Sequence, residues 1–211
     1  MKLLAFTDIH SSQSAFKRLE SKAKKQKPDL IICCGDFTVF EQNVKDVLKK
    51  INSLPAPVIL IPGNHEDDEL IRRICQKYKN ITYAHLSILE ANGYRIVGHG
   101  GGGFYGGRHR DAEFDAFTKA TKGKIKSPLI LITHAPPYNT KLDYLDWLDE
   151  HVGCASYTDF IKKHKPILAL SGHLHENFKK TERKGKTLLS NPGQDGTLFE
   201  LAEKYAKIIR E

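Results

Sequence analysis

Five short apolar runs in this 211-residue chain each end on residues that bind metals or carry protons. Leu3-Leu4-Ala5-Phe6 leads to Asp8 and His10, and Leu30-Ile31-Ile32-Cys33-Cys34 leads to Gly35-Asp36. Val58-Ile59-Leu60-Ile61 opens into Pro62-Gly63-Asn64-His65-Glu66, Leu129-Ile130-Leu131-Ile132 into Thr133-His134, and Ile167-Leu168-Ala169-Leu170 into Ser171-Gly172-His173-Leu174-His175. Unbroken apolar runs of this length, bounded by turn residues, are the pattern of strands buried on both faces. A buried strand that stops at Gly or Pro-Gly and then presents an amide, an imidazole or a carboxylate sets polar groups at the carboxyl edge of a sheet, where open α/β folds keep their sites. One such residue alone is more commonly a turn or surface residue. Five strand ends do not collect them independently, so the pattern predicts an α/β fold with one shared polar edge.

Between these runs the periodicity alternates with helices. Phe16, Leu19 and Ala23 give a buried stripe to a helix from about Ser14 to Lys25, ended by Pro28. Val44, Val47, Leu48 and Ile51 define a second helix, and Leu70, Ile71 and Ile74 a third from about Asp67 to Tyr78. Ile81-Tyr83, Ser87-Leu89 and Tyr94-Gly98 read as strands, the last two joined at Asn92-Gly93, and suggest a meander at a sheet edge. The segment Gly100-Gly107 is too glycine-dense for regular structure, lacks the Gly-Lys-Ser/Thr ending of a phosphate-binding loop, and reads as a mobile loop. Further helices are expected near Asp111 to Lys122, from Tyr144 to Glu150, and from Tyr157 to His164, the last with Ser156 and Asp159 approximating a capping box. After His175 mostly antiparallel strands are expected, with Leu201 to Lys207 as a helical alternative.

An apolar content of 40% over 211 residues suffices for one well-buried domain, so residues 1–211 are taken as a single domain. The start of the chain has too few apolar residues before Thr7-Asp8 for a secretory segment, and no run approaches membrane-spanning length, which predicts no membrane partner. The four cysteines, at 33, 34, 75 and 154, show no C-x-x-C spacing and read as buried thiols, which points to a reducing, cytoplasmic setting. The net charge of +8 suits a polyanionic partner or a phosphate-bearing substrate. The densest basic run, Lys22 to Lys27, falls at a helix end, where the dipole favours a solvated basic face.

The residues at the five strand ends are two aspartates, one asparagine and histidines, without thiolate, a donor set for divalent Mn, Fe, Zn, Co or Ni. Seven donors exceed what one ion takes. Two ions about 3.5–4 Å apart sharing one carboxylate would account for the number and would suit in-line attack at phosphorus.

Asp8-x-His10, Gly35-Asp36, Gly63-Asn64-His65-Glu66, His134 and Gly172-His173-x-His175, in this order and each after a strand, resemble the motifs of the calcineurin-like metallophosphoesterase family. The resemblance implies a four-layer αββα sandwich of two mixed sheets flanked by helices. It implies that Asp8, His10, Asp36 and His175 hold one metal and Asp36, Asn64, His134 and His173 the other, with Asp36 as the bridge and manganese as the expected ion. A metal-bridging hydroxide would then attack phosphorus, and His65 would protonate the leaving oxygen or steady the transition state. Phe37-Thr38-Val39-Phe40 after Gly35-Asp36 lacks the arginine of the protein Ser/Thr phosphatase branch, which argues against protein phosphatase activity, while the small size and the run Thr133-His134-Ala135-Pro136-Pro137-Tyr138-Asn139-Thr140-Lys141-Leu142-Asp143 resemble compact prokaryotic phosphoesterases.

Substrate selection falls to the loops: Arg108 and Arg110 for gripping a phosphate, Tyr105 and Tyr138 for stacking on a base, Asn139 as a further substrate-binding residue, with Ser11, Phe37, Phe104, His109 and Lys141 as other loop candidates. The expected reaction is hydrolysis of a small phosphodiester or phosphomonoester. A metal-dependent nuclease and a non-catalytic scaffold are the alternatives.

Overall fold

The computed structural model describes residues 1–106 and 108–209. In chain order the elements are β1 (Lys2–Phe6), α1 (Gln13–Gln26), β2 (Leu30–Cys33), α2 (Val44–Asn52), β3 (Val58–Leu60), α3 (Asp68–Cys75), β4 (Ile81–Tyr83), β5 (Ser87–Ala91) and β6 (Tyr94–His99). There follow α4 (Ala112–Ala120), β7 (Leu129–Thr133), β8 (Tyr144–Leu145), β9 (Glu150–His151), α5 (Ala155–His164) and β10 (Leu168–Leu170), then β11 (Thr181–Lys184), β12 (Thr187–Ser190), β13 (Thr197–Ala202) and β14 (Tyr205–Ile208). The first sheet has the order β14-β13-β1-β2-β3-β4 and the second β11-β12-β10-β7-β6-β5. Strands β1 to β4 run parallel, and at one edge β13 is antiparallel to β1 and β14 antiparallel to β13; β6, β7, β10 and β12 run parallel, with β5 and β11 antiparallel at the edges.

Alternate residues of the central strands go to opposite faces, and here both faces are covered. Leu4, Phe6, Ile31 and Cys33 pack outward against Phe16, Leu19, Leu48 and Ile71 of α1, α2 and α3. Their neighbours Leu3, Ala5, Leu30 and Ile32 face inward onto Ile96, Ile130, Ile132 and Leu168 of the second sheet. The outer face of that sheet, through Val97, Leu129, Leu131 and Ala169, packs on Phe114, Tyr157 and Phe160 of α4 and α5. The layers are therefore helix, sheet, sheet, helix, the αββα sandwich expected from the sequence.

Three local expectations are corrected. The three short strands after residue 80 do not form a meander: β4 closes the first sheet beside β3, and the chain crosses to the second sheet before the β5–β6 hairpin. Residues 144–150 are not helical but form the β8–β9 hairpin, because Leu145 and Val152 are buried together on Leu174. Its base is fixed by Asp143, whose carboxylate accepts the N–H groups of Asn139, Thr140 and Gly153. The capping box at Ser156 does not form, since α5 starts at Ala155 with Cys154 in the cap position, two residues earlier than expected; the Ser156 hydroxyl accepts the Asp111 N–H instead, and Asp159 is engaged by Arg110. The antiparallel strands expected after His175 are present, and Leu201 to Lys207 follows that reading and not its helical alternative, with Leu201 and Ala206 paired and buried.

All four cysteines are buried free thiols. Among the described residues no helix is long and apolar enough to cross a membrane.

Candidate metal centre

Because β1, β2, β3, β7 and β10 end on the same side of the sandwich, the loops that follow them meet there. Asp8 and Asp36 lie at the base, 0% and 2% exposed. Asp8 is fixed by the Thr7 hydroxyl at 2.7 Å and by the His173 N–H at 3.0 Å, and Asp36 by the His65 N–H at 3.0 Å. Asp8, His10, Asp36 and His173 all adopt positive φ, at 52°, 46°, 50° and 68°. Each such residue costs on the order of 1–2 kcal/mol, strain that the surrounding loops must hold in place.

The loops touch as closely as backbone permits. A Cβ at Gly63 would lie 1.9 Å from Asp36 Oδ1, and one at Gly172 would lie 1.9 Å from Thr7 Oγ1 and 2.5 Å from Asp8 Oδ2. Glycine is required at both places, not for its own dihedral angles but to let a neighbouring loop through.

Three groups of donor atoms result: Asp8 with His10 and His175; His10 with Asp36 and His65; and Asp36 with His134 and His173. Asp36 Oδ2 stands 3.7 Å from His10 Nε2, 3.4 Å from His134 Nε2 and 3.9 Å from His65 Nε2. The asparagine joins the third group, with Asn64 Oδ1 3.0 Å from His134 Nε2 and 2.8 Å from His173 Nδ1. All seven residues proposed from the sequence as ligands, and His65, thus converge.

The donor set fits metal binding because acceptors face acceptors. His134 Nδ1 donates to the Cys34 carbonyl at 2.8 Å and His10 Nδ1 to the Thr38 carbonyl at 3.1 Å, which leaves the Nε2 lone pair of each neutral ring pointing into the cluster. There His10 Nε2 meets His175 Nε2 at 3.1 Å, while His173 Nε2 and His65 Nδ1 are buried without a hydrogen-bond partner. Cations relieve such an arrangement, and without them protons must. Burial opposes charge on both Asp36 and His134, yet their mutual hydrogen bond and attraction win, holding Asp36 down to about 2 and lifting His134 to about 9. Burial and then the neighbouring His134 push His173 down to about 4, so the second imidazole stays neutral.

The cluster floors an open cleft of about 490 Å³ lined by His10, Asp36, Asn64, His65, Phe104, His173, Leu174, His175 and Glu176. Of the proposed substrate residues, Arg108, Tyr138 and Asn139 line a different groove with Thr158 and Lys162. Arg110 is held by Asp115 at 2.9 Å and 3.1 Å and by Asp159 at 2.6 Å, so its guanidinium is already occupied. Phe37 is fully buried, and Tyr105 donates to Asp111. Two residues at the site had no distinctive motif to mark them in the sequence: Thr38, which binds both His10 and Glu66, and Phe40, whose ring lies against His65. Of the glycine-rich loop, Gly107 lies outside the described residues.

The calcineurin-like phosphoesterase family profile matches residues 1–177, a span that contains every residue of the cluster. A protein of Methanocaldococcus jannaschii without an assigned function is 28% identical over 207 residues, 91% of this chain and 88% of its own. A probable glycerophosphodiester phosphodiesterase of Arcobacter nitrofigilis is 31% identical over 159 residues, 72% of this chain but 58% of its own length. A probable cyclic nucleotide phosphodiesterase of Synechococcus is 27% identical over 163 residues, 74% of this chain and 61% of its own. Among solved structures, the protein TT1561 of Thermus thermophilus shares the fold with a TM-score of 0.76 at 18% identity, covering 98% of this chain and 97% of its own. The chain belongs to the calcineurin-like phosphoesterase family, and it is a metal-dependent phosphoester hydrolase.

Proposed function

We propose that residues 1–211 form one domain that hydrolyses a small phosphodiester at a dinuclear centre, with Asp8, His10, Asp36 and His175 around one ion and Asp36, Asn64, His134 and His173 around the other. The observation that carries this reading is the position of Asp36, whose Oδ2 lies between His10 Nε2 at 3.7 Å and His134 Nε2 at 3.4 Å, within reach of both groups. Oxygen and imidazole donors without thiolate suit manganese, and equally accept Fe, Zn, Ni or Co. When bound, two such ions supply Lewis acidity toward the phosphoryl oxygens and lower the pKa of water at the site.

The chain's own residues do the rest. Asp8 and Asp36 bring negative charge that retains the cations, and the backbone bonds to Cys34 and Thr38 keep His134 and His10 in the ligating tautomer. His65, at the cleft with Nε2 3.9 Å from Asp36 Oδ2, holds the proton that the departing ester oxygen needs. A diester is favoured over a monoester because the two relatives with an assigned reaction are named as phosphodiesterases. The buried free thiols favour a reducing, cytoplasmic setting.

The test is hydrolysis of bis-p-nitrophenyl phosphate against p-nitrophenyl phosphate, using chelator-treated protein re-supplied with Mn, Ni, Co or Zn. Metal-dependent turnover with the diester preferred is expected. A monoester preference would overturn the diester reading, and no turnover despite two bound ions would favour the scaffold.

A second reading, hydrolysis of nucleic acid, draws on one observation. Lys141, Lys180 and Lys184 line one groove and Lys162, Lys165, Lys184 and Lys186 the next, so the two share a basic rim. That reading requires oligonucleotide binding that weakens steeply with salt.

A further inference from the structure

Two large apolar side chains stand in water beside the cluster: Phe40 is 67% exposed, and Phe104, which lines the cleft, 65%. They come from unrelated segments, the loop after β2 and the glycine-rich loop after β6, yet each lies against a histidine of the cluster. The Phe40 ring centroid is 4.3 Å from that of His65 with the planes at 39°, and the Phe104 centroid is 4.8 Å from that of His173 at 65°. His65 in turn borders His10 at 4.9 Å and His173 borders His134 at 5.3 Å, so the phenylalanines mark different ends of the cluster.

The Phe40 loop is built to hold its ring there. Phe40 and Glu41 both take positive φ, 45° and 55°, a conformation that bulky side chains avoid. The loop is fastened to the segment carrying His65 by the Glu41 carboxylate, which accepts the Asp67 N–H at 2.7 Å. Phe37 and Val44, on either side of it in the sequence, belong to the core cluster of α1, α2 and α3, whereas Phe40 does not. Backbone strain that keeps a phenyl ring out of that core and over a cleft histidine points to a ligand. Phe104 reaches its place by another route, following Gly101 and Gly102 at φ 69° and 78°.

We propose that Phe40 and Phe104 are specificity residues that select phosphodiesters bearing a planar aromatic ring, an aryl group or a nucleobase, on an ester arm. The inference rests on the hydrolase reading of the cleft and names the substrate class for it. With phosphorus over the histidines and carboxylates, each ester arm leaves the cluster past one of the two rings, and a flat ring on the arm covers the exposed phenyl surface.

Phenyl p-nitrophenyl phosphate and methyl p-nitrophenyl phosphate share a leaving group and differ only in the retained arm, so the ratio of their kcat/KM values reads recognition of the ring. Aromatic contacts of this kind are expected to make the ratio roughly threefold to tenfold in favour of phenyl. Phe40→Leu or Phe104→Leu should lower it by a similar factor, whereas Phe40→Tyr and Phe104→Tyr should keep it. Thymidine 5′-p-nitrophenyl phosphate, with the same leaving group, distinguishes a nucleobase from a simple aryl ring as the preferred arm. A ratio near one in the wild type, or one unchanged in both leucine variants, overturns the proposal. Calorimetric binding of phenylphosphonate against methylphosphonate to the Mn²⁺-loaded protein reads the same preference without turnover. Ring preference without hydrolysis would sink the hydrolase reading and keep the ring pair, and hydrolysis without preference would do the reverse.

Discussion

The Glu66 carboxylate accepts the backbone N–H of Asp36 at 2.9 Å, so the residue proposed to serve both ions is positioned through its own main chain by a side chain from the next loop. The same carboxylate accepts the Gly63 N–H at 2.7 Å, the Thr38 N–H at 2.8 Å and the Thr38 hydroxyl at 2.7 Å. Four donors from two loops thus converge on one buried anion. Burial and the charge of Asp36 push its pKa up to about 7, which the donors only partly offset.

Glu66→Gln removes that convergence without changing the shape, since an amide nitrogen would face N–H donors. The expected loss is about 1–3 kcal/mol of stability, because buried donors are left unpaired. Metal affinity should fall roughly 10- to 100-fold, as when other groups that orient ligands are lost. Urea unfolding and metal titration measure the two effects, and metal affinity equal to wild type would show that Glu66 does not position Asp36.

Asp36→Asn and His65→Ala separate retention of the ions from proton handling. The first should abolish hydrolysis and weaken both ions, since it removes the charge within reach of both groups. The second should leave two ions bound and lower kcat by roughly 10²–10⁴. Elemental analysis together with kcat decides: a single ion in the wild type would end the dinuclear proposal, and loss of an ion in His65→Ala would recast that residue as a ligand.

The metal-free protein should lose stability as the medium becomes alkaline. His134 is held at about 9 in the fold against an ordinary 6.5, so its interaction with Asp36 contributes fully below pH 6.5 and is lost as pH rises through 9. The matching depression of Asp36 to about 2 is lost only in strong acid. The loss between pH 6.5 and 9 should be about 2–3 kcal/mol. Adding Mn²⁺ should flatten the slope, because a cation at His134 Nε2 takes the place of the proton. Urea midpoints across this range, with and without the ion, test both statements, and a slope indifferent to metal would argue against an ion at His134.

Gly172→Ala should damage the site although the residue has no side chain to lose. The added methyl would collide with the Thr7 hydroxyl and the Asp8 carboxylate, forcing the β1 and β10 loops apart. About 1–3 kcal/mol of destabilisation is expected from overpacking, with weaker binding of the ion at Asp8. A variant with unchanged stability and metal content would show that the loops can yield.

The sandwich was legible because its central strands are continuous apolar runs that tolerate no other placement, and the cluster because each run ends on a donor. The hairpin at 144–151 was not. Tyr144, Leu145, Trp147 and Leu148 imitate a helical stripe, and only the burial of Leu145 against Leu174, from a distant part of the sequence, makes it a hairpin. Ser156 failed as a cap for a related reason, since its hydroxyl had a better use at Asp111 in another loop. Arg110 looked free for phosphate until the fold brought Asp159 to it. Phe40 carried no signal, because its placement against His65 depends on a backbone conformation that sequence periodicity does not encode.

The donors at this centre come from two different sheets: Asp8, Asp36 and Asn64 follow strands of the first, while His134, His173 and His175 follow strands of the second. On the proposed assignment each ion is a rivet through the seam of the sandwich. An ion that binds only the folded chain adds RT ln(1 + [ion]/Kd), about 4 kcal/mol at a thousandfold excess over Kd, so thermal tolerance becomes a gauge of metal supply.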